Sequence, residues 1–169
     1  MDADTLRSIQ APIKDSYRSE PGTALVTLTA RGSLDEGSLT CKVETGKALA
    51  IAGLHPATGG SGAELCSGDM LLEALVACAG VTLKAVSTSL GITLRSGVVR
   101  AEGDLDFRGT LGVDRQAPVG FSTIRLTFDL DTDAEPDQLA TLLKLTERYC
   151  VVFQTLNTPP ALSVAISQS

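Results

Sequence analysis

Met70-Leu71-Leu72-Glu73-Ala74-Leu75-Val76-Ala77-Cys78-Ala79-Gly80-Val81-Thr82-Leu83 is the stretch that decides how this chain folds. It is apolar almost all the way round at helical period, which predicts a long central helix with little solvent contact. Ser67 or Asp69 is placed to cap its start, and Leu90-Gly91 to end it. A single sheet covers only one face of such a helix. The other face is therefore expected against a second sheet or another subunit, and a homodimer wrapped around paired central helices satisfies it. Inside that helix Cys78 is either a small piece of core or a thiol held in a closed pocket.

Outward from the helix, the N-terminal side carries a helical pattern from Asp4 to about Tyr17, with Leu6, Ile9 and Ile13 along one face and Pro12 against it. Strands are expected over Ala24–Ala30, Ser38–Val43 and Lys47–Ile51, and a loop over His55-Pro56-Ala57-Thr58-Gly59-Gly60-Ser61-Gly62. On the C-terminal side, Val98–Phe107 and Ser122–Leu130 alternate as strands around a Gly/Pro loop from Gly109 to Gly120. A helix starts at Asp133-Ala134-Glu135-Pro136 and runs through Leu139, Leu142, Leu143 and Leu145 to Tyr149, with Cys150 closing it. Asn157-Thr158-Pro159-Pro160 breaks the chain before a last expected strand, Ala161–Ile166. The order α, βββ, α, ββ, α, β indicates an α+β fold with antiparallel sheet rather than a doubly wound one.

Composition narrows the chemistry. The 169 residues bound one domain, 43% hydrophobic and 20% charged, with net charge −6. That charge repels phosphate backbones and anionic membranes, so no nucleic-acid partner is expected. No run reaches the roughly 18 consecutive apolar residues of a membrane span. Met1-Asp2-Ala3-Asp4-Thr5-Leu6-Arg7 lacks a signal-peptide layout, and the expected compartment is the cytoplasm. The four cysteines (Cys41, Cys66, Cys78, Cys150) form no CxxC pair and His55 is the single histidine, so no metal site is expected. There is no GxSxG elbow, no GxGxxG and no P-loop. Thiol chemistry, ligand binding or a structural role remain open.

Three pieces of sequence now fall together: His55-Pro56 with Gly59-Gly60, the run from Asp69 to Cys78, and Tyr149-Cys150 followed by Gln154-Thr155-Leu156. In these the chain resembles the osmotically induced and organic-hydroperoxide-resistance (OsmC/Ohr) family, from about Ala24 to the C-terminus, with a similar spacing between the two cysteines. The resemblance implies an OsmC-like α+β fold, with antiparallel sheets packed around a long buried central helix. It further implies an intertwined homodimer with active sites at the subunit interface. The extent would be a single domain over residues 1–169, with an extra N-terminal helix at about 4–17.

It also implies a thiol-dependent peroxidase that needs no cofactor. Cys78 attacks an organic hydroperoxide and becomes a sulfenic acid; Cys150 condenses with it to a disulfide that an external dithiol reduces. Burial raises a thiol's pKa, so a cation is expected to offset it. Arg31 is the candidate for the family's activating arginine, with Asp69 or Glu73 to orient it. Gly68 stands where the family has a glutamate, and Val151 where it has a proline. These departures keep a second reading open, a non-catalytic protein of the same fold that binds a small apolar ligand or senses oxidants. Cys66 is a spectator or an alternative resolving thiol, Cys41 packs on its strand, and His55 is a loop residue that lines the pocket.

Overall fold

The computed structural model describes residues 2–25, 27, 31–34, 41–44 and 49–168, and in β1, β2 and at residue 49 it describes the backbone only. Helix α1 spans Ala3–Ser19, with the Asp2 carboxylate accepting from the Thr5 amide at 2.7 Å. It runs straight through Pro12, and none of its residues is buried. Proline's missing donor is tolerated there because the carbonyl it abandons can turn to water.

The first sheet has the order β1 (Arg31–Leu34), β2 (Cys41–Glu44), β3 (Leu49–Gly53), β4 (Leu65–Cys66). The first two pairings are antiparallel, while β3 and β4 run parallel over a two-residue contact. Expectation and structure differ here. Ala24 belongs to a 3-10 turn over Pro21–Ala24, and most of the strand expected over Ala24–Ala30 lies outside the described residues, as do residues 38–40. Arg31 opens β1, its backbone paired with that of Glu44.

Helix α2 spans Ser67–Leu90 and begins directly out of β4. Its N-cap is Cys66, without a side-chain cap bond, rather than Ser67 or Asp69. It ends as expected. Gly91 takes the left-handed conformation (φ 70°) that a side chain would strain, and its amide bonds back to Ser87 and Thr88. Within the chain Leu75, Ala79, Leu83 and Ser87, each four residues on, form one covered stripe, while Val81 is 72% exposed. The second sheet, β5 (Ser96–Leu105) and β6 (Phe121–Asp131) paired antiparallel among the described residues, covers that one face, and the other is the face expected against another layer or subunit.

Short helix α3 (Phe107–Thr110) interrupts the loop before β6. Arg95 ties the open end of the hairpin, its Nε donating to the Asp131 carboxylate at 2.9 Å and its amide to the Asp131 carbonyl. Helix α4 (Pro136–Tyr149) starts with proline in its first turn, and the Gln138 side chain accepts from the Glu135 amide. Helix α5 (Val151–Asn157), absent from the sequence reading, follows after the single residue Cys150.

Two clusters form the core along the α2 stripe. Leu75, Ala79 and Cys150 meet Val99, Ile124 and Phe153, and Leu83, Ile92 and Leu142 meet Leu130 and Leu139. The last expected strand, Ala161–Ile166, is not one. Leu162, Val164 and Ile166 are 88%, 95% and 91% exposed. Their alternation suits a pleated surface, but a strand requires a neighbour to pair with, and no described strand lies beside this segment.

Leu75→Ala opens the centre of the stripe and is expected to cost about 2–5 kcal/mol, read from urea unfolding. A loss below about 1 kcal/mol would mean that this stripe does not hold α2 in place.

Candidate active site

Cys150 shapes the site by serving two helices. With extended dihedrals (φ −74°, ψ 107°) it closes α4, its amide bonding to the Thr146 carbonyl at 2.9 Å. Its own carbonyl then accepts the first bond of α5, from the Gln154 amide at 2.9 Å. The amides of Val151, Val152 and Phe153 are thereby left without intrahelical acceptors.

Cys78 lies half-buried on α2 beside the covered stripe, and Cys150 is 1% exposed. Both thiols are free. Burial pushes the Cys78 thiol up, but the nearby Val152 amide, Cys150 thiol, Val151 amide and Thr82 hydroxyl favour its charged form and pull it down. The balance falls below the ordinary thiol value. Cys150 goes the other way. Burial and the neighbouring Cys78 push it up against the lowering effect of the Phe153 and Val152 amides. The pair thus divides into one sulfur disposed to ionise and one that keeps its proton. The cation expected to offset burial is replaced, among the described residues, by neutral donors.

The other candidates do not converge on this pair. Glu73 is exposed, and five positions before Cys78 at about 100° per residue it points well away from it. Asp69 is exposed in the first turn of α2, and neither acid joins an ion pair among the described residues. His55 caps the 3-10 turn Pro56–Thr58. Its Nδ1 accepts from the Ala57 amide at 3.0 Å, and its ring stacks on Phe107 with centroids 4.8 Å apart. His55, Asp69 and Cys66 line a separate cavity of about 430 Å³. Cys66 stands twelve residues before Cys78, about 18 Å along the helix, too far to resolve it within one chain. A Cβ at Gly68 would make ordinary contacts with the Phe121 ring at 3.5 Å and the Cys66 sulfur at 3.6 Å. The backbone of Arg31 begins β1; its side chain, like that of Cys41, lies outside the described residues. No cluster of metal-ligating side chains occurs among the described residues.

Two contributors escaped the sequence reading. Thr82 was findable, one turn after Cys78 on the same face. The amides after Cys150 were not, because nothing in the sequence reading separated α5 from α4.

Comparisons with known proteins bear on the fold. No curated protein matches the sequence. Among solved structures, an OsmC-like protein from Mycoplasma pneumoniae superposes with TM-score 0.65 at 16% identity, covering 79% of this chain and 89% of its own. An organic hydroperoxide resistance protein OsmC from Legionella pneumophila gives 0.61 at 16% identity, covering 79% and 91%. An organic hydroperoxide resistance protein from Elizabethkingia anophelis gives 0.62 at 14% identity, covering 80% and 91%. The family described as OsmC-like protein matches residues 60–165, the span that holds α2, both sheet-facing clusters and the thiol pair. This chain belongs to the OsmC-like protein family.

Proposed function

We propose that this protein is a thiol-dependent peroxidase that reduces organic hydroperoxides. The observation that carries the reading is the meeting of Cys78 with buried Cys150 in one core cluster, the two thiols displaced in opposite directions. The Cys78 thiolate attacks the distal peroxide oxygen; an S–O bond forms, the O–O bond breaks, and the departing alkoxide takes a proton to leave as the alcohol. The Cys150 sulfur then attacks the Cys78 sulfenic acid, releasing water and closing the disulfide. An external dithiol returns both sulfurs to thiols by exchange. The net reaction is hydroperoxide plus dithiol to alcohol, water and a disulfide.

Apolar neighbours of the pair, Val99, Ala101 and Leu156, favour alkyl over hydrogen peroxide. Arg31 is the proposed cationic aid, with Asp69 or Glu73 as its anchor, and His55 lines the neighbouring cavity. Free thiols suit a reducing compartment, the cytoplasm. A second reading, binding of a small apolar ligand, draws on a cavity of about 440 Å³ between α4 and β6 lined by Leu83, Leu126, Phe128, Leu139 and Leu142. Homodimer formation is also inferred, because α2 leaves Leu71 and Val81 uncovered on a helix whose most apolar 18-residue stretch has mean hydropathy 1.7.

Cumene hydroperoxide consumption with dithiothreitol tests the enzyme. Cys78→Ser is expected to abolish turnover; Cys150→Ser is expected to stop after one event, with Cys78 over-oxidising to the sulfinic acid in the mass spectrum. Absence of wild-type turnover with several dithiols rejects the peroxidase and leaves the apolar-ligand reading.

The rate should rise with pH with its midpoint below the free-cysteine value of about 8.5, because the reacting form is the thiolate and its pKa is lowered. A midpoint at or above that value contradicts Cys78 as the ionised member.

Val81→Asp is expected to convert a dimer to a monomer in sedimentation. An unchanged mass for the variant removes this face from the contact.

A further inference from the structure

Only one residue separates α4 from α5. Cys150 is extended rather than helical (φ −74°, ψ 107°), so the angle between the two helices turns on its two soft dihedrals. That angle decides where the Cys150 side chain stands relative to α2. Packing holds one side of α5, where Val152, Phe153 and Leu156 join the cluster of Leu75, Ala79 and Cys150. Apolar packing is non-directional, so it holds α5 down without fixing its tilt. Val151 stands where the family has a proline. A proline ring would fix φ of that residue and hold Cys150 to its extended shape. Valine does neither, so the bend needs another restraint.

The side of α5 away from the core carries a directional one. Because the chain leaves the helix at Cys150, the Glu147 carbonyl loses the amide that residue 151 would have supplied in an unbroken helix. The Gln154 side chain takes that carbonyl instead, its Nε2 donating at 2.7 Å. The main-chain amide of Gln154 donates to the Cys150 carbonyl at 2.9 Å. One residue thus bonds both to the last turn of α4 and to Cys150, closing a ring across the bend. Gln154 is exposed, and among the described residues no other side chain of α5 hydrogen-bonds to α4.

We propose that Gln154 is a positioning residue for the thiol pair: by stapling α5 to the last turn of α4 it fixes the bend at Cys150 and holds that thiol beside Cys78. This rests on the reading of the two cysteines as a disulfide-forming pair. Fixed geometry raises the effective concentration of one reacting group at another. The staple acts in this way on Cys150 alone, without touching substrate and without a part in proton or electron transfer.

The experiment forms the Cys78–Cys150 disulfide with diamide, in the full chain with Cys41 and Cys66 replaced by serine. Diamide takes one hydrogen from each thiol and becomes the hydrazine, leaving the two sulfurs bonded. The protein is then equilibrated with reduced and oxidised dithiothreitol, and the disulfide fraction is read by alkylation and mass spectrometry. Gln154→Met keeps the length of the side chain and loses the donor. Gln154→Glu keeps the shape and turns an acceptor towards the carbonyl. Gln154→Lys keeps a donor able to reach the last carbonyls of a helix.

Gln154→Met and Gln154→Glu are each expected to lower the disulfide equilibrium constant about threefold, the size of one ordinary hydrogen bond. Gln154→Lys is expected to restore it. A loss of overall stability common to both redox forms leaves this constant where it is, so the shift and its rescue report positioning. An unchanged constant in Gln154→Met, or equal constants in Gln154→Met and Gln154→Lys, overturns the staple, as does a wild type that forms no such disulfide. Hydroperoxide turnover is read separately. Shifted constants in a protein without turnover reject the peroxidase and keep the staple; turnover with unshifted constants does the reverse.

Discussion

The close approach of α5 to α2 at Ala79 is the constraint on which the site depends. Ala79 is fully buried and small, so the chain leaving α4 can bring Cys150 against the helix that carries Cys78. A larger residue at this place would be felt at once in a close-packed interior. Leu75, one turn earlier, and Leu83, one turn later, fix the height of α2 over the β5–β6 hairpin. The same stripe that builds the core sets the sulfur-to-sulfur contact.

That contact would be inert if burial governed both thiols alike. Removing a thiolate from water opposes ionisation, while each hydrogen bond to an ionised group contributes about 1.5–3 kcal/mol. At Cys78 two amides, a thiol and a hydroxyl outweigh the burial. At Cys150 two amides do not, and ionised Cys78 beside it makes a second negative charge harder to form. One turn of backbone therefore gives the two cysteines opposite characters. The asymmetry suits a nucleophile and a resolving partner, since the attacking sulfur must be ionised and the second must wait.

Much of this was legible in the residues, and the misses have physical causes. Helix α2, helix α4 and the β5–β6 pair follow from apolar periodicity and local stop signals, which act within a few residues. The pairing of Cys78 with Cys150 was legible through the family resemblance, not through spacing. The short helix after Cys150 was not, because one extended residue between two helical runs leaves no compositional mark. Within one chain α2 is covered along a single stripe, because periodicity shows which residues are apolar, not whether the covering layer comes from the same chain. Glu73 illustrates the same limit: its sequence distance from Cys78 is small, yet helical rotation takes it off the thiol face. Ala161–Ile166 has the alternation of a strand, but pairing is a property of two segments and the partner is not written in either one alone.

The exposed side of α2 and the unpaired C-terminal segment have one cause. A two-stranded hairpin is at best marginal by itself, and here it gains stability by packing against a single face of one helix. Among the described residues, β1–β3 extend outward from β4, and no residue of α1 is buried. Apolar area is left over on Val81, Leu71, Leu162, Val164 and Ile166 in quantities that water disfavours. In the proposed homodimer a second copy supplies both missing elements, a covering layer for α2 and an edge for the alternating segment. Cys150 is already buried within one chain, whereas Cys78 is half-buried, so in that dimer any further covering would act on Cys78. Exclusion of water strengthens each polar interaction with the Cys78 sulfur while raising the cost of leaving its charge unpaired. Assembly and activation of the nucleophile are then coupled through one helix.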